Sequence, residues 1–201
     1  MRQALRTTTT SMLLDGLRDV RNSEVWEAFD DRYRTIITGL ARRMGLQPPD
    51  DDDVAQETLV QFARDYQAGK YVRGQGKLRS WILGIARHRI ADLHRHRARR
   101  REWREASGID AVPSDERLSE IWDEEHEAEI LRQGLAELRE VSRLDTTTVE
   151  IFERMVLKQE SPATISEELG IPAQSVYRAK HRCLGRLSRI VASLETRYRD
   201  E

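Results

Sequence analysis

The stretch SPATISEELGIPAQSVYRAKHRCLGRL, Ser161–Leu187, decides the fold. Ser161 can cap a helix with Pro162 at its first position, and Gly170 supplies the left-handed residue that stops it. Ile171 plugs the turn and Pro172 starts the next helix. A short helix, a tight turn and a longer basic helix make a helix-turn-helix. In the second helix Val176, Cys183, Leu187, Ile190 and Leu194 share one face at helical spacing. Gln174, Arg178 and His181 project from the opposite side, beside Ser175, Tyr177 and Arg182. That donor-rich face suits the DNA major groove. A solvated basic helix in an ordinary bundle carries similar charge; the Gly-Ile-Pro turn between helices of these lengths argues for DNA. Cys183, on the apolar face, reads as a small core residue.

Upstream of this motif helical spacing persists. Val149, Phe152 and Met155/Val156 form one stripe, and Ile121/Trp122, Leu131, Leu135 and Leu138 another. Residues 98–120 lose periodicity and contain Ser107-Gly108 and Pro113-Ser114, which reads as a linker. Before it, Val25, Phe29, Tyr33, Ile36/Ile37, Leu40 and Met44 make a helix with Ser23 as cap and Gly45 as its end. A second helix follows PPDDDD, with Asp53 and Gln56 as a capping box and Ala55, Leu59, Phe62 and Tyr66 as its stripe. AGKYVRGQGK must be a loop, and a third helix runs from about Arg79 to Arg97. No strand-like alternation persists and no internal repeat occurs. The expectation is an all-α chain of two small helical domains, residues 1–97 and 125–201, joined by an acidic linker, 98–124.

The charge is strongly segregated. The chain of 201 residues has a formal charge of -1, yet RHRIADLHRHRARRR, Arg87–Arg101, holds seven arginines, three histidines and one acid. From Lys70 to Arg104 there are twelve Lys/Arg against two acids; from Glu105 to Ile130, ten acids against one arginine; from Ile171 to Arg199, seven Lys/Arg against one acid. Basic, acidic, basic is the pattern. Hydrophobic content of 38% with only 6% aromatic favours thin helical cores over one thick one. The lone Cys183 excludes an intrachain disulfide and favours a reducing compartment. MRQALRTTTTSMLLDG lacks the apolar core of a signal peptide, and no run approaches a membrane span. The expectation is a soluble, cytoplasmic chain with no membrane partner.

The third helix places Arg87, His88, Ala91, His94 and Arg95 opposite its apolar stripe, and small Gly84 and Ala91 would admit a nucleic-acid backbone. Counter-ion release on phosphate contact explains the arginine density. The preceding loop adds Lys70, Tyr71, Arg73 and Lys77, and a ring beside cations suits an unstacked base. Trp81 could serve likewise, though a tryptophan beside an apolar stripe is more often core. His88, Asp92 and His96 at successive four-residue steps invite a metal reading, but surrounding arginines oppose a cation and no carboxylate or cysteine cluster completes a site. Asp50–Asp53 lacks the alternate spacing of a calcium loop; helix capping and dipole compensation explain it. No metal, cofactor or catalytic constellation is expected.

Together these segments resemble a sigma factor of bacterial RNA polymerase, of the small two-domain extracytoplasmic-function (ECF) group. DDDDVAQETLVQFARDY is similar to that family's second conserved helix, and GKLRSWILGIARHRIADLHRHRARR to its promoter-melting helix. TTVEIFERMVLKQESPATISEELGIPAQSVYRAKHRCLGRL resembles its C-terminal helix-turn-helix. The resemblance implies a non-catalytic promoter-specificity subunit whose partners are core RNA polymerase, promoter DNA and, in some members, an anti-sigma factor. Asp53, Gln56, Glu57 and Gln61 would dock on core polymerase. Lys70, Tyr71, Arg73 and Lys77, with Arg87, His88, Asp92 and Arg95, would hold the melted −10 strand. Gln174, Ser175, Tyr177, Arg178, His181 and Arg182 would read the −35 element. His88 stands where the family often has asparagine, so −10 base preference does not carry over; Ser166 replaces a usual alanine. The rival readings are a stand-alone helix-turn-helix regulator acting without polymerase, and a metal-dependent nuclease built on Asp50–Asp53 and the histidines.

Overall fold

The structure, a computed structural model, describes residues 10–19, 21–72, 76–102, 114–140 and 144–198, and all of their side chains except those of 98–102. Every regular element among the described residues is helical. The chain divides into two compact units: Met1–Glu129 with Arg197–Glu201, and Ile130–Thr196.

The first unit opens with α1, Thr10–Gly16, a short helix that periodicity did not reveal. Leu13, Leu14 and Leu17 are wholly buried, and Tyr66 Oη donates to the Leu14 carbonyl at 2.6 Å. α2, Ser23–Arg43, is capped by Asn22 rather than Ser23, with the Asn22 side chain accepting from the Val25 amide. Gly45 follows its end at φ 84, the left-handed conformation that glycine adopts without strain. α3, Asp50–Gln67, starts three residues before the expected cap, with Pro49 at the cap position and no side-chain cap bond. The four aspartates fill its first turn, where the positive end of the helix dipole favours them. α4, Leu78–Glu102, is longer than expected.

α3 packs on both α2 and α4. Phe29 of α2 stacks on Phe62 of α3 at 5.0 Å, and Leu78, Ile82, Ala86 and Ile90 of α4 close the same core. Offset aromatic stacking adds to the area these rings bury. The core also takes in Leu118, Ile121 and Trp122 from the start of α5, Asp115–Glu140. The expected linker is therefore helical at both described ends, up to Glu102 and again from Asp115. Its composition is acidic, but apolar residues three and four apart give one face something to bury.

The second unit holds the rest of α5, then α6 (Thr146–Phe152), a π-helical turn (Glu153–Leu157), α7 (Pro162–Leu169) and α8, which spans Ala173–Tyr198. Asp145 caps α6: its carboxylate accepts from the Thr148 amide at 2.8 Å and the Thr148 hydroxyl at 2.6 Å. Those bonds, the hydroxyl first, hold the Asp145 carboxyl below its ordinary range. Within this unit α5 buries Ile130 and Leu138, while Leu131 is left 48% exposed. Gly134 lies one turn beyond Ile130; a β-carbon there would stand 3.1 Å from Leu187 Cδ1 and 3.3 Å from Val191 Cγ2 of α8. The absence of a side chain lets α5 and α8 approach.

The helix, turn and helix of residues 161–187 form as the sequence reads. The Ser161 side chain accepts from the Thr164 amide, Pro162 opens α7, and Gly170 ends it at φ 62. Ile165, Val176 and Ala179 form a small core with Ile151, against which Met155, Leu169 and Ile171 pack. Ser166 ties the turn from both sides: its hydroxyl donates to the Ile171 carbonyl at 2.5 Å, and its carbonyl accepts from the Ile171 amide at 3.1 Å. Arg154 of the π turn ion-pairs with Glu160 and Glu168, which raise its pKa further.

Candidate nucleic-acid interface

In the second unit the twofold character of α8 is sharp. Val176, Ala179, Cys183, Leu187, Ile190 and Leu194 are buried along one side. Gln174, Tyr177, Arg178, His181 and Arg182 are exposed on the other and Ser175 is half-buried. Six residues expected to read duplex DNA thus lie on the first three turns of one helix. Tyr177 is 48% exposed, a large aromatic surface left to solvent among donors. Arg182 differs from its neighbours because its guanidinium donates to the Thr148 hydroxyl at 3.1 Å, anchoring it to the start of α6. Cys183 is buried beneath it, and burial pushes the thiol up from its usual pKa.

In the first unit two surfaces stand out. On α3, Asp53, Gln56 and Glu57 are exposed and Gln61 is half-buried. With Val60, Arg64 and Arg89 they line an open groove of about 580 Å³. Arg89 of α4 spans it, donating to Gln61 Oε1 at 3.4 Å and pairing with Glu57 at 3.5 Å. Gln61 in turn donates to Asp65 at 3.0 Å. Val60, 41% exposed, puts an apolar spot among these polar groups.

The α4 surface carries the cations. Arg87 is half-buried, while His88, Asp92 and Arg95 are exposed, with Arg95 ion-paired to Asp92. Gly84 has open space where a β-carbon would be. Ala91, expected beside a nucleic-acid backbone, is instead only 8% exposed, so that side of α4 is partly closed by packing. His94, grouped with this face in sequence, bonds the Met44 carbonyl at 3.0 Å and serves the core of the unit. In the loop, Lys70 and Lys77 are exposed and Lys70 reaches Asp65 at 2.8 Å. Arg73 lies outside the described residues.

Tyr71 requires a correction. Its ring, expected to meet an unstacked base, is 7% exposed and sits among Phe62, Tyr66 and Trp81, with Trp81 edge-on at 5.9 Å. Burial of the aromatic area outweighs presentation to solvent, and Tyr71 Oη closes the loop by donating to the Gly76 carbonyl at 3.3 Å. Trp81 packs against the core, as its position beside the stripe implied. Arg42, which the sequence did not single out, pairs at 2.5 Å with Asp51 of the Asp50–Asp53 run, and that aspartate is wholly buried. Burial alone would raise the Asp51 carboxyl; the Arg42 and backbone hydrogen bonds override it and hold it below its ordinary range.

Among the described residues no group of three or more His, Cys, Asp or Glu is placed to hold a metal ion. No described helix is long and apolar enough to cross a membrane.

Comparison with known proteins bears on the first unit. A solved structure of CnrH in complex with the cytosolic domain of CnrY aligns with 91% of this chain and 97% of that chain, at 19% identity and a TM-score of 0.37. No curated protein matches. The family model of Sigma-70 region 2 matches residues 29–100, from the second turn of α2 through α3 and the loop and through most of α4. Residues 29–100 are thus similar to region 2 of the Sigma-70 family.

Proposed function

We propose that the chain is a promoter-specificity factor of the extracytoplasmic-function type, a non-catalytic subunit that binds core RNA polymerase and directs initiation at −35 and −10 elements. The single observation that carries the reading is the region 2 match, because it covers both the α3 groove and the α4 arginines. In this reading Asp53, Gln56, Glu57 and Gln61 dock on core polymerase through the groove. Arg87, His88, Asp92 and Arg95, with Lys70, Lys77 and Arg73 in or beside the loop, hold the melted −10 strand, while Tyr71 is committed to the core. The −35 duplex falls to the exposed face of α8, where Gln174, Ser175, Tyr177, Arg178 and His181 reach base edges and phosphates, and Arg182 is preset by Thr148. The first compact unit, Met1–Glu129 with Arg197–Glu201, would then act as the −10 module and the second, Ile130–Thr196, as the −35 module.

The test is in vitro transcription from genomic DNA fragments with core polymerase, followed by mapping of start sites. The expected outcome is initiation that depends on this chain, downstream of a shared pair of spaced elements. Tight operator binding by the chain alone, with no effect on core polymerase, would replace this reading with that of a stand-alone regulator.

A further inference from the structure

The first unit pairs its cations with its own acids in an ordered way. Asp115–Glu129 carries eight acids against one arginine and belongs to this unit. Its apolar anchors, Leu118, Ile121 and Trp122, are at most 3% exposed, so the segment is seated in the core and not laid on the surface. Asp115, Ser119 and Asp123, one turn apart, form a stripe facing α4. Asp115 ion-pairs with Arg87. Arg79 donates to the Ser119 carbonyl at 2.9 Å and hydroxyl at 2.6 Å, and to Asp123 at 2.9 Å. The two arginines are eight residues apart, and so are the two aspartates, in reverse order. That is an antiparallel ladder spanning two helical turns. Each pair, being part exposed, is weak alone; the fixed apolar anchors are what hold the ladder in register.

We infer that the acidic stripe Asp115–Asp123 is a built-in counter-ion for Arg79 and Arg87, which keeps the free chain from gripping a DNA strand on α4 until that stripe is displaced. The inference rests on the proposed role of α4 in strand binding. A phosphate approaching Arg87 must compete with the Asp115 carboxylate and is repelled by both aspartates. Part of the affinity expected from the arginine-rich helix is thereby withheld, because fewer counter-ions remain to be released.

The experiment is fluorescence anisotropy of the full chain with a short labelled single strand of random sequence, across a salt series. Asp115→Asn/Asp123→Asn keeps shape and removes charge. If about nine chains in ten are masked at rest, this variant binds about tenfold tighter, with a steeper salt dependence. Glu116→Gln/Glu127→Gln removes equal charge from exposed positions on the same segment, and it must gain clearly less. The gain must also vanish when Arg79→Gln/Arg87→Gln is added. Equal affinity of wild type and the double asparagine variant overturns the inference, as does a gain that survives loss of both arginines. The failure of the underlying reading has a separate signature: Arg95→Gln, which removes an exposed α4 cation outside the ladder, would leave strand binding unchanged in wild type and in the double asparagine variant alike.

Discussion

Ser166 and Arg178 lie twelve residues apart and illustrate two uses of a side chain. Ser166 bonds both polar groups of Ile171 and so braces the turn that sets the angle of α8. Ser166→Ala should cost about 1 kcal/mol, the net worth of one such hydrogen bond, with helix content unchanged. Urea denaturation of the isolated chain measures this, and an unchanged midpoint would show that water replaces the hydroxyl. Arg178 is exposed, so its removal should leave stability within about 0.5 kcal/mol while costing roughly 1–3 kcal/mol at the −35 element. A gel-shift comparison with a scrambled element decides the point: equal loss on both would leave Arg178 with a phosphate role only. Asp51 is an acid-sensitive residue of the first unit. Its folded carboxyl titrates below its unfolded value, so the unfolded chain binds more protons in acid. Its contribution is therefore full above about pH 4 and is lost as pH falls through the folded pKa. Thermal melts on a descending pH series should show a steeper loss for wild type than for Asp51→Asn; parallel curves would contradict the sign.

At the scale of elements, α3 and α8 offer separable surfaces. Asp53→Ala/Glu57→Ala removes two exposed carboxylates from the α3 groove and touches nothing in α8. Affinity for core polymerase should fall by at least about tenfold, about 1.4 kcal/mol, while binding of an isolated −35 duplex is unchanged. Surface plasmon resonance on immobilised core checks the first half, and unchanged affinity there would remove α3 from the docking surface. Helix ends were less legible than helix existence. Ser23 and Asn22 are both good caps, and only the backbone decides which side chain reaches the Val25 amide. Asp53 fits a capping-box pattern, but dipole attraction extends α3 back to Asp50, and Asp51 is drawn inward by Arg42. α1 is seven residues long, too short for periodicity to register before Leu13 and Leu14 find a core.

For the whole molecule, the division of the chain turns on α5. The acidic linker expected over residues 98–124 supplies Leu118, Ile121 and Trp122 to the first core, and the compact unit runs to Glu129. A fragment of residues 1–97 therefore lacks three buried apolar side chains, each worth about 1.5–3 kcal/mol, from a unit whose total stability is of order 5–15 kcal/mol. Residues 1–129 should melt at a clearly higher temperature than residues 1–97 in calorimetry. Equal melting temperatures would mean that α5 adds no stability to this unit.

Local chemistry written along the chain was enough to specify an all-helical protein, the capped helix and left-handed glycine of residues 161–187, and the polar and apolar faces of α8. Each of these depends on neighbours within one or two turns, so spacing alone carries the information. Packing in three dimensions chose between options that spacing leaves equal: Ile130 inward and Leu131 outward, Tyr71 buried, Ala91 covered, and an acidic helix folded onto Arg79 and Arg87. Those outcomes compare the burial of one side chain with that of another far away in sequence, and no local pattern encodes such a comparison.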